Sequence, residues 1–486
     1  MSEQLNKKKP GQKRVISVNF EHHRFNVVGF DLLVVAKSDR LLEKLLTPPS
    51  DLSLPKATSA QPMAPPPVQN TQPSKTAWSE TEIQHQEQQA LKHINQLRQS
   101  LNLPPFALNG VLSAAARQHA LYSVHHNQQS HQERPGLANF SGETPKNRAF
   151  AMGYHSPVRE VIAYNKPSAD LLIGDLMSAI YHRLTLLNFT HTQIGLGIAD
   201  DQNGTVKTAL VAQTGNADLN QLCQAPQAAQ LGQYYYQALC QSGIRVSRKA
   251  YQIALNTPAM SAPKLIHWPA NNAQVAPVFY EEEPDPLPNC NVSGYPVHVQ
   301  INPIYQGRIT FAPQSFKVYE RDGDQKHAVK AATIFTNQTD PNRSEHNTQI
   351  PKPAWIAFFP KQRLNWSQTY QAEIDWLEGG KRHQLQWQFQ TAKQPGLAII
   401  PSPAPKTLSV SIRPGQTRTL YFAPAGCQSE PQASIKTRTP RGLQIETHFV
   451  DGETLQVKLV SANQGERFSV YYQPTDTWVH FQVKQH

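Results

Sequence analysis

Residues 79–101 read SETEIQHQEQQALKHINQLRQSL, and this stretch decides where folded structure begins. Ser79 and Glu82 form a capping box: the serine oxygen accepts from the third helical N–H, and the glutamate reaches back to the cap. Ile83, Ala90, Leu91, Ile94, Leu97 and Leu101 then recur at the spacing that gathers apolar side chains on one helical face. Leu103-Pro104-Pro105 ends the helix, because proline brings no N–H. A second helix is predicted through Val111, Leu112, Ala115, Ala116, His119 and Ala120, capped near Asn109. A third is predicted over Ala169–Leu187. Ile194–Ile198 and Thr208–Ala212 read as strands around an Asp201–Gly204 turn. Helices flanking a few antiparallel strands predict an α/β sandwich over residues 77–222.

Upstream of this helix the texture is different. Residues 48–76 hold Pro48, Pro49, Pro55, Pro62, Pro65, Pro66, Pro67 and Pro73 among Ser, Ala, Gln and Thr. Such a segment has too little apolar surface to offset chain entropy and reads as an extended linker. Before it lies a basic leader with Lys7, Lys8, Lys9, Lys13 and Arg14, so residues 1–76 are expected to be mostly disordered. The apolar run Phe25–Ala36 is interrupted by Asp31 and has no clean small-residue cleavage site. It reads as a short buried or disordered segment rather than an export signal. No stretch approaches the roughly 18–20 apolar residues of a membrane-spanning helix.

Downstream, residues 223–286 read as a connector with one short helix (Ala228–Cys240) and a Pro-rich acidic lead-in. From residue 287 the period becomes two. Val297, Val299 and Ile301 alternate with polar residues, as do Tyr370, Ala372, Ile374 and Trp376, and then Leu385, Trp387 and Phe389. This predicts an Ig-like β-sandwich over 287–395. A further alternating set (Leu408, Val410, Ile412; Leu455, Val457, Leu459; Val479, Phe481, Val483) predicts a second, smaller β-domain over 396–486. The expected fold class is therefore multidomain: an α/β sandwich followed by two all-β domains.

A net charge of +11 is spread over 486 residues with no basic stripe interleaved with aromatics, so nucleic acid is not the expected partner. Cys223, Cys240, Cys290 and Cys427 form no CxxC pair, which argues against a structural zinc site of that kind. An oxidising compartment would allow a bridge from Cys223 to Cys240 or to Cys290. A reducing one would leave four thiols.

Several segments, taken in order, resemble the CAP superfamily: the cysteine-rich secretory, antigen 5 and pathogenesis-related proteins and their bacterial SCP-like relatives. They are Ile94-Asn95-Gln96-Leu97-Arg98, Leu103-Pro104-Pro105-Phe106, Leu112-Ser113-Ala114-Ala115-Ala116 and Ser130-His131. Asn147-Arg148 through Gly153-Tyr154, Glu160-Val161-Ile162-Ala163, Met177 through Arg183, and Ile194-Gly195-Leu196-Gly197 continue the match. Phe279-Tyr280-Glu281-Glu282, Pro284 through Pro288 and Ser293-Gly294-Tyr295-Pro296 resemble Ig-like modules that follow CAP domains in some bacterial exported proteins.

The resemblance implies a cleft lined by two His and two acidic residues. By position His131 matches the first His, His182 the second and Glu160 the first acid. The second acid has no clear counterpart, although Asp170 and Asp175 are near. Two neutral imidazoles and a carboxylate could hold zinc with open positions for water, His131 and His182 being its nitrogen ligands, or could orient a ligand. His119, His125 and His126 add imidazoles beside His131 and read as a polar helix end. Glu281-Glu282-Glu283 with Asp285 reads as a solvated linker rather than a calcium site. Neither HExxH nor GxSxG occurs, and Gly195-x-Gly197 sits in a strand rather than a phosphate loop.

The reading these features favour is an exported bacterial protein that binds an unidentified ligand or surface partner at the cleft, outside the cytoplasm and in association with the cell envelope. The alternatives are a metal-dependent hydrolase using the cleft, with a metal-bound water as nucleophile, and a surface protein acting structurally or adhesively through its β-domains. Limited proteolysis should cut residues 48–76 first and leave a stable core starting near Trp78. N-terminal sequencing of the resistant fragment checks this, and survival of the Pro-rich segment while other loops are nicked would move the boundary.

Overall fold

The computed structural model describes residues 77–226, 234–241, 243–342, 352–427, 431, 433–463 and 465–484, and three strands near the N-terminus. The chain divides into two units, Met1–Asn70 and Thr71–His486. In the first, β1 (Val15–Ile16), β2 (His23–Val27) and β3 (Phe30–Val34) form a sheet of order β1-β3-β2. Much of the apolar run from Phe25 thus lies on β2 and β3. The Pro-rich linker falls outside the described residues, as does most of the basic leader.

In the second unit the capping box forms as the sequence requires. Ser79 N donates to Glu82 Oε2 at 2.7 Å, Ser79 Oγ accepts from Glu82 N at 3.3 Å, and α1 runs Glu80–Ser100. After β4 (Ala107–Leu108), α2 (Gly110–His126) starts on the Asn109 cap. Next come α3 (Pro145–Ala151), β5 (Arg159–Tyr164), α4 (Ala169–Ser178), α5 (Ile180–Leu186), β6 (Gln193–Asp200) and β7 (Thr208–Gly215). The sheet order is β4-β6-β7-β5, with β6 and β5 both antiparallel to β7. A Cβ on Gly195 or Gly197 would strike the backbone of α2 at Leu112 or Arg117. These glycines let α2 lie directly on β6, so their function is packing.

The pleat of β5 sorts the two faces of the sheet. Ile162 packs with Ala116, Ala120 and Val124 of α2. Val161 and Ala163 pack on the other side with α1, α4 and Leu186 of α5. The layer is thus helix, sheet, helix.

The third predicted helix is two. Ala179 is extended (φ −81°, ψ 126°) between α4 and α5. The cause lies about a hundred residues downstream. Glu282 is buried, and its carboxylate accepts from Ile180 N at 2.6 Å, from Tyr181 N at 3.2 Å and from His182 Nδ1 at 3.1 Å. The expectation of a solvated acidic linker therefore fails at Glu282, while Glu281 and Glu283 are exposed.

The connector also differs from its reading. After α6 (Ala217–Leu222), Tyr235–Tyr236 (β8) pairs with Val246–Ser247 (β9) rather than ending a helix, and residues 227–233 lie outside the described set. The connector's longer helix is α7, Arg248–Met260. Leu265–Trp268 already belongs to the sheet that contains Val297–Ile301, so the β-rich part draws in residues before 287. That sheet (Leu265–Trp268, Val297–Ile301, Trp355–Pro360, Ala331–Thr336) shares a core with a six-stranded one centred on Thr369–Glu378 and Lys381–Thr391. Residues beyond 396 add two four-stranded sheets around their own core.

The α/β layer and the first pair of sheets form one apolar cluster, running from Leu172 and Met177 through Trp268 and Tyr295 to Val299. Polar ties seal the seam. Arg183 donates to Met177 O, Ser178 O and Pro296 O, Tyr295 Oη donates to Met177 O at 2.6 Å, and Tyr181 Oη donates to Asp340 Oδ1 at 2.6 Å. The bridges are Cys223–Cys240 and Cys290–Cys427, the second tying the two β-rich parts together.

Glu282→Ala should lower stability by roughly 2–4 kcal/mol, since it strands two buried N–H groups and an imidazole. Glu281→Ala should stay within about 0.5 kcal/mol. Thermal melts with amide exchange at Ile180 and Tyr181 check the contrast, and equal effects of the two substitutions would refute it.

Candidate functional site

Glu160 stands on β5 with its side chain on the α2 face, and its register partner across the sheet is Gln213. The pair is bonded, Gln213 Nε2 donating to Glu160 Oε2 at 2.8 Å. Arg148, from α3, donates Nη2 to both Glu160 oxygens at 2.7 and 2.9 Å. His131, in the loop after α2, places Nδ1 at 2.9 Å from Oε1. A second carboxylate, Glu133, accepts from His119 Nδ1 at 2.8 Å, from Ser141 N at 2.6 Å and from Gly142 N at 3.2 Å, and lies 3.6 Å from Arg148 Nε. His119 turns its other nitrogen to Ser130 O at 2.9 Å. Both ring nitrogens of His119 are thus engaged, one by a carboxylate and one by a backbone carbonyl.

Glu133, Glu160, Arg148 and His119 are buried, and only His131 is open, with 41% of its side chain exposed. Burial alone would raise the Glu160 pKa. The hydrogen bond from His131 and the positive charge of Arg148 outweigh it and hold the pKa at about 2. Glu133 moves the same way: burial raises its pKa, but the His119 hydrogen bond, the Ser141 amide and Arg148 together pull it down. The product is an imidazole clamped at Nδ1 by a carboxylate and presenting Nε2 outward. Such a group can accept a proton or a hydrogen bond at one fixed point.

His131 and Glu160 are therefore neighbours, but His182 does not join them by any hydrogen bond or ion pair. It rides on α5, which lies against the opposite face of the sheet, and its Nδ1 is bonded to Glu282. Asp170 pairs with His93 at 2.8 Å and Asp175 with Lys166 at 3.2 Å, so neither supplies the missing acid. Among the described residues, no group of three or more His, Cys, Asp and Glu is arranged to hold a metal ion. The donor set itself is unsuited to zinc. Both Glu160 oxygens already face a guanidinium, so a dication there would stand against Arg148.

Sequence reading missed Arg148, Glu133 and Gln213 and misjudged His119. One signal was present: His119 lies on the apolar face of α2, one turn after Ala115 and Ala116. An imidazole on a buried face needs partners.

The profile of the Cysteine-rich secretory protein family (CAP) matches residues 91–214, which include every member of this network. The chain carries a CAP domain. Similar solved structures include an extracellular protein containing an SCP domain from Bacillus anthracis (21% identity, 29% of this chain, 44% of that chain, TM-score 0.24). An outer surface protein from Borrelia burgdorferi matches at 17% identity over 29% of this chain and 96% of that chain, with TM-score 0.24. A cysteine-rich secretory protein from Staphylococcus aureus matches at 17% identity over 30% of this chain and 42% of that chain, with TM-score 0.22. The chain thus spans less than half of the Bacillus and Staphylococcus proteins. No curated protein matches it.

The depressed pKa of Glu160 gives the CAP domain a defined acid response. Its stabilising effect is fully present above about pH 4.5, the ordinary glutamate value, and is lost as pH falls through the folded value of about 2. The amount at stake is roughly 3 kcal/mol. Glu160→Gln should cost about 3–5 kcal/mol at neutral pH, because Arg148 loses its main counter-charge, and should flatten the stability curve between those two values. Denaturant titrations across that pH range check this, and an unchanged slope in the variant would disprove it.

Proposed function

We propose that this is an exported, bacterial-type CAP-domain protein that binds a ligand or surface partner at the His131 face without catalysing a reaction, and that its β-rich modules, Ig-like in kind, present that face at the cell envelope. The observation that carries the reading is the clamped imidazole. Glu160, itself held by the buried Arg148 and Gln213, fixes one exposed ring, which is a recognition point rather than a metal cage. The metal-dependent hydrolase is disfavoured by the same contact, since Arg148 already neutralises the carboxylate such a mechanism would need. His182 belongs in this reading to the seam with the β-rich part, not to the binding face.

Compartment follows from the cysteines. All four are paired, with Cα–Cα separations of 5.2 and 5.0 Å that suit disulfides. Persistent bridges belong to oxidising surroundings, which supports a site outside the cytoplasm. No helix among the described residues is long and apolar enough to cross a membrane.

Two measurements test this. Denatured protein from its native source should contain no titratable thiol, and four thiols would overturn export. His131→Ala should keep its melting temperature within a few degrees and lose at least fivefold in binding to washed cells or envelope preparations. Unchanged binding would refute the His131 face. Stoichiometric zinc together with hydrolysis abolished by His131→Ala would favour the hydrolase instead.

A further inference from the structure

Beyond residue 396 the strands alternate, and the pleat turns one set of side chains inward and the other to water. One of the two sheets there is built from Thr407–Ile412, Thr477–Val483, Arg467–Tyr472 and Ile435–Arg438, in that order. Val410, Val479, Phe481, Phe468 and Val470 turn to the core. The outward set is different in kind. Lys436, Tyr471 and Trp478 stand in register across three strands, and Arg438, Ser469 and His480 form the next row. Arg467 and Gln482 form a third. The four strands carry no Asp or Glu. Along the chain these cations and rings lie in separate stretches, so no basic stripe is visible in the sequence. Strand pairing assembles one.

The rings on this face are held in place by the chain. Trp478 and His480 are parallel to within 2°, with centroids 6.5 Å apart, and Tyr471 lies 5.0 Å from Trp478. Arg438 reaches across the intervening strand and sets its guanidinium 4.4 Å from the centre of the Trp478 ring. Ser469 Oγ stands 2.8 Å from His480 Nδ1. The acid at the strand end, Asp476, is taken up by Tyr471 Oη at 2.9 Å and by Lys406. The other sheet of this part of the chain is built differently, since its exposed Lys458 is paired with Glu446 at 3.0 Å. Lys436, Arg438 and Arg467 thus give one flat face a single sign of charge, laid among three aromatic rings.

We propose that this sheet face binds an anionic polysaccharide, its sugar rings packing on Trp478 and Tyr471 and its acidic groups meeting Lys436, Arg438 and Arg467. A pyranose presents a face of C–H bonds that suits an aromatic ring, and a carboxylate or sulfate on the sugar suits a guanidinium fork. Rows lie about 6.6 Å apart along the strands and neighbouring strands about 4.8 Å apart, so rings and cations fall within reach of successive sugars of one chain. Each contact is weak, and several on one polymer add up to a useful affinity. A single-stranded nucleic acid offers the same pairing of flat rings with negative charge. The paired cysteines, which belong to oxidising surroundings, favour the polysaccharide. This face stands apart from His131, which belongs to the CAP domain.

The test is calorimetry on the full chain with polygalacturonate, dextran sulfate and uncharged dextran, at low and at raised salt. Saturable binding by at least one of the two anionic polymers is expected, weakening as salt rises, with none by dextran. Binding of polygalacturonate alone or of dextran sulfate alone identifies the acidic group. Trp478→Leu keeps an apolar side chain on the strand but removes the flat ring, and should weaken binding at least about tenfold. The double substitution Lys436→Gln with Arg438→Gln should weaken it at least as much and flatten its salt dependence. His131→Ala should bind the polymers as the parent does, and a loss there would place the binding at the cleft and overturn the assignment to this sheet. Absence of binding by both anionic polymers would overturn the proposal, as would dextran binding equally well. Undiminished binding by Trp478→Leu would reduce the face to unspecific charge and refute it. Tighter binding of an oligodeoxythymidylate than of either polysaccharide would make the ligand a nucleic acid instead. Should Trp478→Leu fail to fold, as judged by its melt, the double substitution decides: binding equal to the parent's would refute the proposal.

Discussion

Arg148 stands between two buried carboxylates, and much of the α2 side of the CAP domain is arranged around that fact. A charge in a protein interior must be met where it stands. Glu160 cannot leave the sheet, because it is fixed by its register with Gln213. Arg148 must therefore come to it, which requires α3 to present its buried side and the loop from Ser130 to Gly142 to fold back. The same guanidinium holds that loop directly, donating to Gly142 O at 3.1 Å and His131 O at 3.0 Å. The loop carrying the exposed imidazole is thus pinned by the charge pair that orients the ring. Binding geometry and stability are two readings of one network.

The opposite face solves a related problem differently. There the α/β layer is covered by β-sheet rather than water, and the start of α5 is sealed beneath the β-rich part. Its free N–H groups would be orphans without an acceptor. Glu282 supplies one and adds a negative charge at the helix start. Arg183, one turn on, answers with bonds to carbonyls on both sides of the seam. The docking is specific because Arg183, Tyr181, Tyr295 and the first N–H groups of α5 each have a named acceptor in it, and it takes up His182 in the process.

Most local structure was legible because it is decided locally. The capping box at Ser79, the stop at Leu103-Pro104-Pro105 and the paired strands around Asp201–Gly204 each follow from a few adjacent residues. The break at Ala179 was not legible, since nothing between Ala169 and Leu187 opposes a continuous helix. The interruption comes from Glu282. The same long-range contact takes His182 into a seam and leaves the resemblance of sequence position unmatched by contact in space. Of the candidate site, His131 and Glu160 could be found from family pattern. Arg148, Glu133 and Gln213 could not, because their roles depend on three segments meeting behind a sheet. The reading of Glu281 to Glu283 as one acidic run failed for the same reason: exposure differs from residue to residue, and composition averages over it.

Arg159 and Glu160 make the point within a single dipeptide. Read along the chain, an arginine beside a glutamate suggests a neutralised pair. On a strand, neighbours point to opposite faces, so these two charges cannot meet without breaking the pleat. Glu160 finds Arg148 on the α2 face, and that carboxylate is satisfied. Arg159 faces the seam, where the other charges already have partners: Glu282 with the start of α5, Asp340 with Tyr181, Arg183 with backbone carbonyls. Arg159 itself stays in contact with water, which meets its guanidinium, so burial rather than adjacency in sequence decides which of the two charges must find a partner in the fold.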